Sequence, residues 1–179
     1  MFSRRNISLA AGMAAAVALT AGALIASTAD ASPLVTPGQP VPGFTGTNSN
    51  GDTVSLADFS GRTVVLEWTN DGCPFVQKHY ATPPANMQTL QSYAGADDVI
   101  WLSVISSAPG KQGHVTGDEA NSLTAVRDAM PSHVLLDETG EIGHLYGAKT
   151  TPHMYVISPD GTLAYEGAID STPSARVED

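Results

Sequence analysis

The stretch Thr63-Val64-Val65-Leu66-Glu67-Trp68-Thr69-Asn70-Asp71-Gly72-Cys73-Pro74-Phe75-Val76-Gln77-Lys78-His79-Tyr80 decides the fold. Its first six residues are short, β-branched and apolar, the composition of a strand buried on both faces of a sheet. Asn70, Asp71 and Gly72 turn the chain. Pro74 then stands where the first helical position tolerates proline, because an N–H there would have no partner within the helix. Phe75, Val76 and Tyr80 are the apolar residues of the helix so opened. The junction of strand and helix carries the one cysteine of the chain, Cys73.

Downstream, Pro83-Pro84 interrupts the helix and Asn86 to Tyr93 reads as a second helical piece. Val99 to Ile105 is a second central strand, and Ser106 to Val115 a loop. Thr116-Gly117-Asp118-Glu119 has the spacing of a capping box, predicting a helix from there to about Met130. His133 to Leu136 reads as a strand and Glu141 to Tyr146 as a short helix. His153 to Ser158 and Thr162 to Ala168 alternate around Pro159-Asp160-Gly161 as an antiparallel hairpin. Upstream, Thr53 to Leu56 reads as a short strand after the Asn50-Gly51-Asp52 turn. Residues 32–50, rich in proline and glycine, read as an extended lead-in with little regular structure. Strands alternating with helices predict an α/β fold with a central mixed sheet.

The chain has 179 residues with 42% hydrophobic content, enough for a single core. Residues 1–31 read as a targeting segment: Arg4 and Arg5 are the basic region, Ile7 to Ala26 the apolar stretch, and Ala29-Asp30-Ala31 a cleavage site. Ser3-Arg4-Arg5-Asn6-Ile7 loosely resembles a twin-arginine signal. Export with cleavage before Ser32 is the expectation, to the periplasm or another extracytoplasmic space. An uncleaved membrane anchor is the alternative, since the stretch is long enough to span a bilayer. The net charge of −10 argues against nucleic acid or an anionic membrane surface as partner. A lone cysteine excludes an internal disulfide, a CxxC metal knuckle and a two-cysteine cycle within the chain.

Placed between strand and helix, Cys73 faces amides that stabilise a thiolate; a buried, inert thiol is the competing reading. Glu67 lies six residues earlier, on the strand. A carboxyl group buried near a thiol has a raised pKa and suits a proton shuttle, whereas an edge-facing or water-linked carboxylate fits the sequence equally. Lys78 and His79 read as a solvated helix face, with an electrostatic action on Cys73 as the alternative, and Trp68 and Trp101 as core. The loop from Ser106 to His114 is long for its place, so it is either a contact surface for substrate or partner or an ordinary surface insertion. No cofactor and no metal is expected, although Cys73 with His153 could be imagined as a copper site.

In this order the segments resemble the thioredoxin-like superfamily, and within it the redoxin or peroxiredoxin-like (AhpC/TSA) branch. The resemblance spans about residues 37–170. It rests on Pro37-Gly38-Gln39-Pro40-Val41-Pro42-Gly43-Phe44, on Val54 to Arg62, on Glu67 to Val76, and on Thr150-Thr151-Pro152. It implies that Cys73 matches the nucleophile of a Cys-x-x-Cys motif whose second position here is Val76, so the resolving thiol must come from outside. It further implies that Glu67 assists proton transfer, and that Pro74, Thr151 and Pro152 contact substrate, with Pro152 as the family's cis-proline. The peroxiredoxin pattern Pro-x-x-x-Thr-x-x-Cys is not met: Leu66 and Asn70 occupy its proline and threonine positions, and Thr69 is one residue away.

The expected function is therefore that of an exported thiol oxidoreductase, acting on a disulfide-containing protein or a hydroperoxide with an external thiol or a thioredoxin-like donor as reductant. A non-catalytic module that binds extended polypeptide is the alternative. The expected domain limits are 51–170, followed by a short tail at 171–179. The family's usual C-terminal helix has no counterpart in residues 171–174.

Overall fold

The computed structural model describes residues 35–80 and 86–178. The targeting segment and Pro83-Pro84 lie outside the described residues. Among these residues seven strands form one mixed sheet in the order β2-β1-β5-β4-β3-β6-β7. They are β1 (Thr45–Asn48), β2 (Thr53–Ser55), β3 (Val64–Trp68), β4 (Ile100–Ile105), β5 (His133–Leu136), β6 (His153–Ile157) and β7 (Leu163–Gly167). The helices are α1 (Pro74–Tyr80), α2 (Asn86–Ala96), α3 (Gly117–Val126) and α4 (Glu141–Tyr146), with a 3₁₀ turn at Leu56–Phe59.

The parallel trio β3, β4 and β5 forms the centre, and β6 runs antiparallel beside β3. Every residue of β3 is buried. Because side chains alternate along a strand, the sheet separates two cores. Val64, Leu66 and Trp68 pack with Leu102, Val104, Tyr155 and, from α4, Ile142 and Tyr146. On the other face Val65 packs with Trp101, Met154, Val76, Tyr80 and Met87, bringing in α1 and α2. Glu67 shares the face of Val65, so a carboxyl group is buried in the second, helix-covered layer.

Three readings of the sequence are corrected. The lead-in is not unstructured from residue 35 onward: Thr45–Asn48 pairs with both β2 and β5, and Val35 and Phe44 are buried in the first core. The strand Thr-Gly-Thr-Asn has no apolar side chain to announce it; backbone pairing carries it. Its Gly46 also passes close to α4, where a Cβ would come 3.0 Å from Ile142. The helix predicted to Met130 ends at Val126, because Asp128 takes φ 51° and the turned chain sends the Met130 amide to Gln91 Oε1 at 2.8 Å. Its start is as the capping box predicts, with Thr116 and Glu119 bonding each other's backbone amides. Third, Lys78 and His79 are buried, not solvated.

The last correction follows from the segment after β7. Residues 168–178 contain no helix or strand among the described residues. Asp170 in this segment accepts from Lys78 Nζ at 3.0 Å and lies 3.3 Å from His79 Nε2, while the Ser174 carbonyl takes a second bond from Lys78. A charged face of α1 is buried because an acidic residue far along the chain covers it. Among the described residues no helix is long and apolar enough to cross a membrane.

Candidate active site

The candidate site is assembled where β3 ends. Asn70 Oδ1 accepts from the Gly72 amide at 2.9 Å, an Asx turn that reverses the chain, and the Cys73 amide bonds the Asn70 carbonyl at 3.0 Å. The loop after β4 packs on this turn: Gln112 Nε2 donates to the Gly72 carbonyl at 3.2 Å. Gly113, at φ +84°, lies so close that a Cβ would come 2.5 Å from the Asn70 side chain. The long loop is thus a buttress of the cysteine turn.

Cys73 is partly exposed and leans on the second core. Its thiol donates to the Thr151 carbonyl, Sγ to O 3.2 Å. The Thr151–Pro152 peptide bond is cis, and Pro152 is buried. The sequence-predicted Cys73, Pro74, Thr151 and Pro152 therefore meet at one end of the sheet. Beside them runs a groove of about 370 Å³ walled by Phe75, Thr151, Pro152, Ile169 and Thr172, with Phe75 exposed at its rim. The segment held by Lys78 and His79 forms its far wall.

Glu67 is fully buried and surrounded by donors. Tyr80 Oη lies 2.7 Å from Oε1 and 2.9 Å from Oε2; Trp101 Nε1 donates to Oε2 at 2.8 Å, Ser103 Oγ at 3.2 Å and Gln91 Nε2 at 3.4 Å. Burial raises the Glu67 pKa above its ordinary value, and the hydrogen bonds from Tyr80, Trp101 and Ser103, with the charge of Arg127, offset only part of that rise. Glu67 is neither edge-facing nor joined to Cys73 by a hydrogen bond among the described residues. Between the two runs α1, which begins after Cys73 and ends at Tyr80, a hydrogen-bond partner of Glu67.

Sequence reasoning missed Tyr80, Gln91 and Arg127. Arg127 stacks over the Tyr80 ring, 4.7 Å to its centroid, and its guanidinium pairs with Asp71 of the cysteine turn. Tyr80 had one available signal: seven residues after Cys73, two helical turns, it falls on nearly the same helix face. Arg127 had none, since its partner is 56 residues away.

His153 is buried, with Nδ1 3.1 Å from Tyr155 Oη and Nε2 facing Glu166 at 3.7 Å. Burial lowers its pKa, with the charge of Glu166 opposing. Among the described residues no group of three or more His, Cys, Asp and Glu side chains is placed to hold a metal ion.

The AhpC/TSA family model matches residues 37–166. No curated protein matches the chain. Solved structures similar to it include an uncharacterized conserved protein from Geobacillus kaustophilus, 24% identical with a TM-score of 0.69, covering 79% of this chain and 73% of that one. The thioredoxin domain of a thiol-disulfide oxidoreductase from Bacteroides vulgatus is 18% identical, TM-score 0.56, covering 74% and 88%. A secreted disulfide oxidoreductase of Mycobacterium tuberculosis is 20% identical, TM-score 0.56, also covering 74% and 88%. At these identities the likeness is one of fold, and the fold is thioredoxin-like.

Proposed function

We propose, from the premise that this chain belongs to the AhpC/TSA family, that it is an exported thiol:disulfide oxidoreductase with Cys73 as its single nucleophile. The observation that carries the reading is the juxtaposition of Cys73 with Thr151: the thiol lies 3.2 Å from the carbonyl of a residue that also walls the adjoining groove. A disulfide seated in that groove presents its sulfur to Cys73. The Cys73 thiolate attacks one sulfur, an S–S bond forms to Cys73, and the original S–S bond breaks to release a thiolate that takes up a proton. An external thiolate then attacks the Cys73 sulfur of the mixed disulfide, releasing the second substrate thiol and leaving itself bonded to Cys73. A second external thiolate attacks that bond, forming the external disulfide and returning Cys73 to the thiolate. Two external thiols are oxidised for each disulfide reduced.

Glu67 serves as the proton reservoir of this exchange, and Pro74, Thr151 and Pro152 as the substrate platform. Export through residues 1–31, with the folded domain beginning near Val35, belongs to the same reading. It is supported by the secreted Mycobacterium protein among the structural neighbours.

Disulfides are favoured over hydroperoxides because Asn70 occupies the position of the peroxide-orienting threonine, and Thr69, one residue away, lines a separate cavity. The test is multiple-turnover reduction of a model disulfide by excess small thiol, with wild type and Cys73→Ser in parallel. Turnover that requires Cys73 is expected. Binding without turnover would establish the polypeptide-binding module instead, and turnover only with hydroperoxide would reassign the substrate.

A further inference from the structure

A small cavity of about 30 Å³ lies behind the cysteine turn, between β4, α3 and the end of α1. Thr69, Asp71, Tyr80, Ser103, Thr124 and Arg127 are its polar lining residues, of which Thr124 donates its hydroxyl to the Ala120 carbonyl. The volume admits a water molecule. Thr69 is 7% exposed, yet its Oγ1 is buried and has no hydrogen-bond partner in the protein. A buried hydroxyl left unpaired is costly and uncommon, so an orphan on a residue that lines a water-sized cavity points to an occupant.

The hydrogen-bond inventory around Glu67 says what that occupant does. Gln91 Oε1 accepts from the Met130 amide, which fixes the amide orientation, so Gln91 Nε2 donates to Tyr80 Oη at 3.0 Å and to Glu67 Oε2. Trp101 Nε1 is also a donor only. Oε2 therefore faces two donors that cannot reverse, beside the hydroxyls of Ser103 and Tyr80, whereas Oε1 faces Tyr80 alone, so a proton on Glu67 resides on Oε1. In that state Glu67 O–H donates to Tyr80 Oη. The tyrosine hydrogen, which pointed at the carboxylate, must then find another acceptor. Tyr80 lines the cavity, and so do Ser103 and the orphan Thr69.

We propose that Tyr80, Thr69 and a water molecule held in this cavity form the path by which Glu67 exchanges its proton with solvent, with the Arg127–Asp71 pair closing the outer end. As Glu67 gives up its proton, Oε1–H passes to Tyr80 Oη, Tyr80 passes its own hydrogen to the cavity water that Thr69 Oγ1 holds in place, and the water passes one to solvent beside Asp71, which is half exposed. Tyr80 is unchanged by the transfer, Glu67 ends as carboxylate, and solvent gains one proton. Burial and the nearby Glu67 charge oppose ionisation of Tyr80, consistent with a relay and not a tyrosinate. The charged and titratable groups facing Glu67 are Tyr80 from α1 and Arg127 from the end of α3. The groups presented by β4, α2 and β6 are the uncharged Trp101, Ser103, Gln91 and Met154.

This path rests on the reading of Glu67 as a group that exchanges its proton during the reaction. Its test is a pH-jump measurement on the full chain, following the buried carboxylic C=O stretch by time-resolved infrared, assigned by its loss in Glu67→Gln. Thr69→Val keeps the shape and removes the hydroxyl; Thr69→Ser restores a hydroxyl. Thr69→Val and Tyr80→Phe are expected to slow proton exchange by about tenfold or more, at the low end of what a positioned proton-transfer group contributes. Thr69→Ser should exchange within a factor of about two of wild type, on the same scale. Thr69→Val should leave the titration midpoint of Glu67 in place. Wild-type exchange in Thr69→Val or Tyr80→Phe, or equal slowing in Thr69→Ser and Thr69→Val, would overturn the path. If instead Glu67→Gln leaves the pH profile of Cys73 reactivity unchanged, the role of Glu67 in the reaction fails while the infrared rates still decide the path.

Discussion

Replacing Glu67 by glutamine should remove one component of the pH dependence of stability, and its sign follows from the competition at the carboxyl group. Removing a carboxylate from water costs several kcal/mol. Hydrogen bonds to an ionised group return roughly 1.5–3 kcal/mol each. Tyr80, Trp101 and Ser103 supply such bonds, but Glu67 is wholly buried and desolvation prevails, raising its pKa from the ordinary 4.5. The folded state then binds its proton more tightly than the unfolded chain. Between pH 4.5 and the folded value, folding stability falls as pH rises, with a limiting slope of about 1.4 kcal/mol per pH unit. Below that window the contribution is fully present.

Glutamine reproduces the protonated state. Its oxygen takes the place of Oε2 before Trp101 and Ser103, and its amide nitrogen donates to Tyr80. Urea unfolding of wild type and Glu67→Gln at half-unit steps from pH 4 upward should therefore give a difference curve, wild type minus variant, that descends above pH 4.5 and flattens once Glu67 is ionised. A flat difference curve, or one that rises with pH, would refute the reasoning, for it would mean that the donors balance or outweigh burial.

Asp137 is buried and caps α4 through the Ile142 and Gly143 amides, at 3.2 and 2.9 Å, and also takes the Ser106 hydroxyl. Asp137→Ala should cost about 2–3 kcal/mol, since buried donors lose their acceptor; urea midpoints measure it, and a loss below about 0.5 kcal/mol would contradict the capping role. Thr116→Ala removes the N-cap of α3 and should cost about 1 kcal/mol by the same assay, no loss being the contrary result. Asp170→Asn should expose residues 168–174 to faster amide exchange at neutral pH, because Lys78 loses its charged partner; unchanged protection would show that the segment is held by packing alone. Lys78 foremost holds the Asp170 pKa below its ordinary 3.8, so in wild type this contribution is present above pH 3.8 and is lost as pH falls through the depressed folded value. The segment should loosen in acid.

The sheet was legible because its central strands, Val64 to Trp68 and Ile100 to Ile105, are apolar runs interrupted only by Glu67 and Ser103, as burial on both faces requires. The closing hairpin was legible from Pro159-Asp160-Gly161, with Gly161 at φ +81° as such a turn requires. Thr45–Asn48 was not, because its stabilisation is backbone pairing with β5, invisible in side-chain pattern. The burial of Lys78 was hidden for a different reason: Asp170, 92 residues away, neutralises it. At the site, Cys73 and the proline loop could be found from local order along the chain. The shell about Glu67 could not, since Trp101 and Tyr80 read as apolar while their polar ends form the carboxyl group's environment.

The central claim, that Cys73 alone carries the exchange and borrows its second thiol, is tested most directly by mass spectrometry during turnover. Mixed with a model disulfide in the absence of thiol, the protein should gain one disulfide-linked adduct on Cys73. Added thiol should discharge that adduct at a rate no slower than steady-state turnover. Turnover without a discharging Cys73 adduct, or undiminished turnover in Cys73→Ser, would contradict the account.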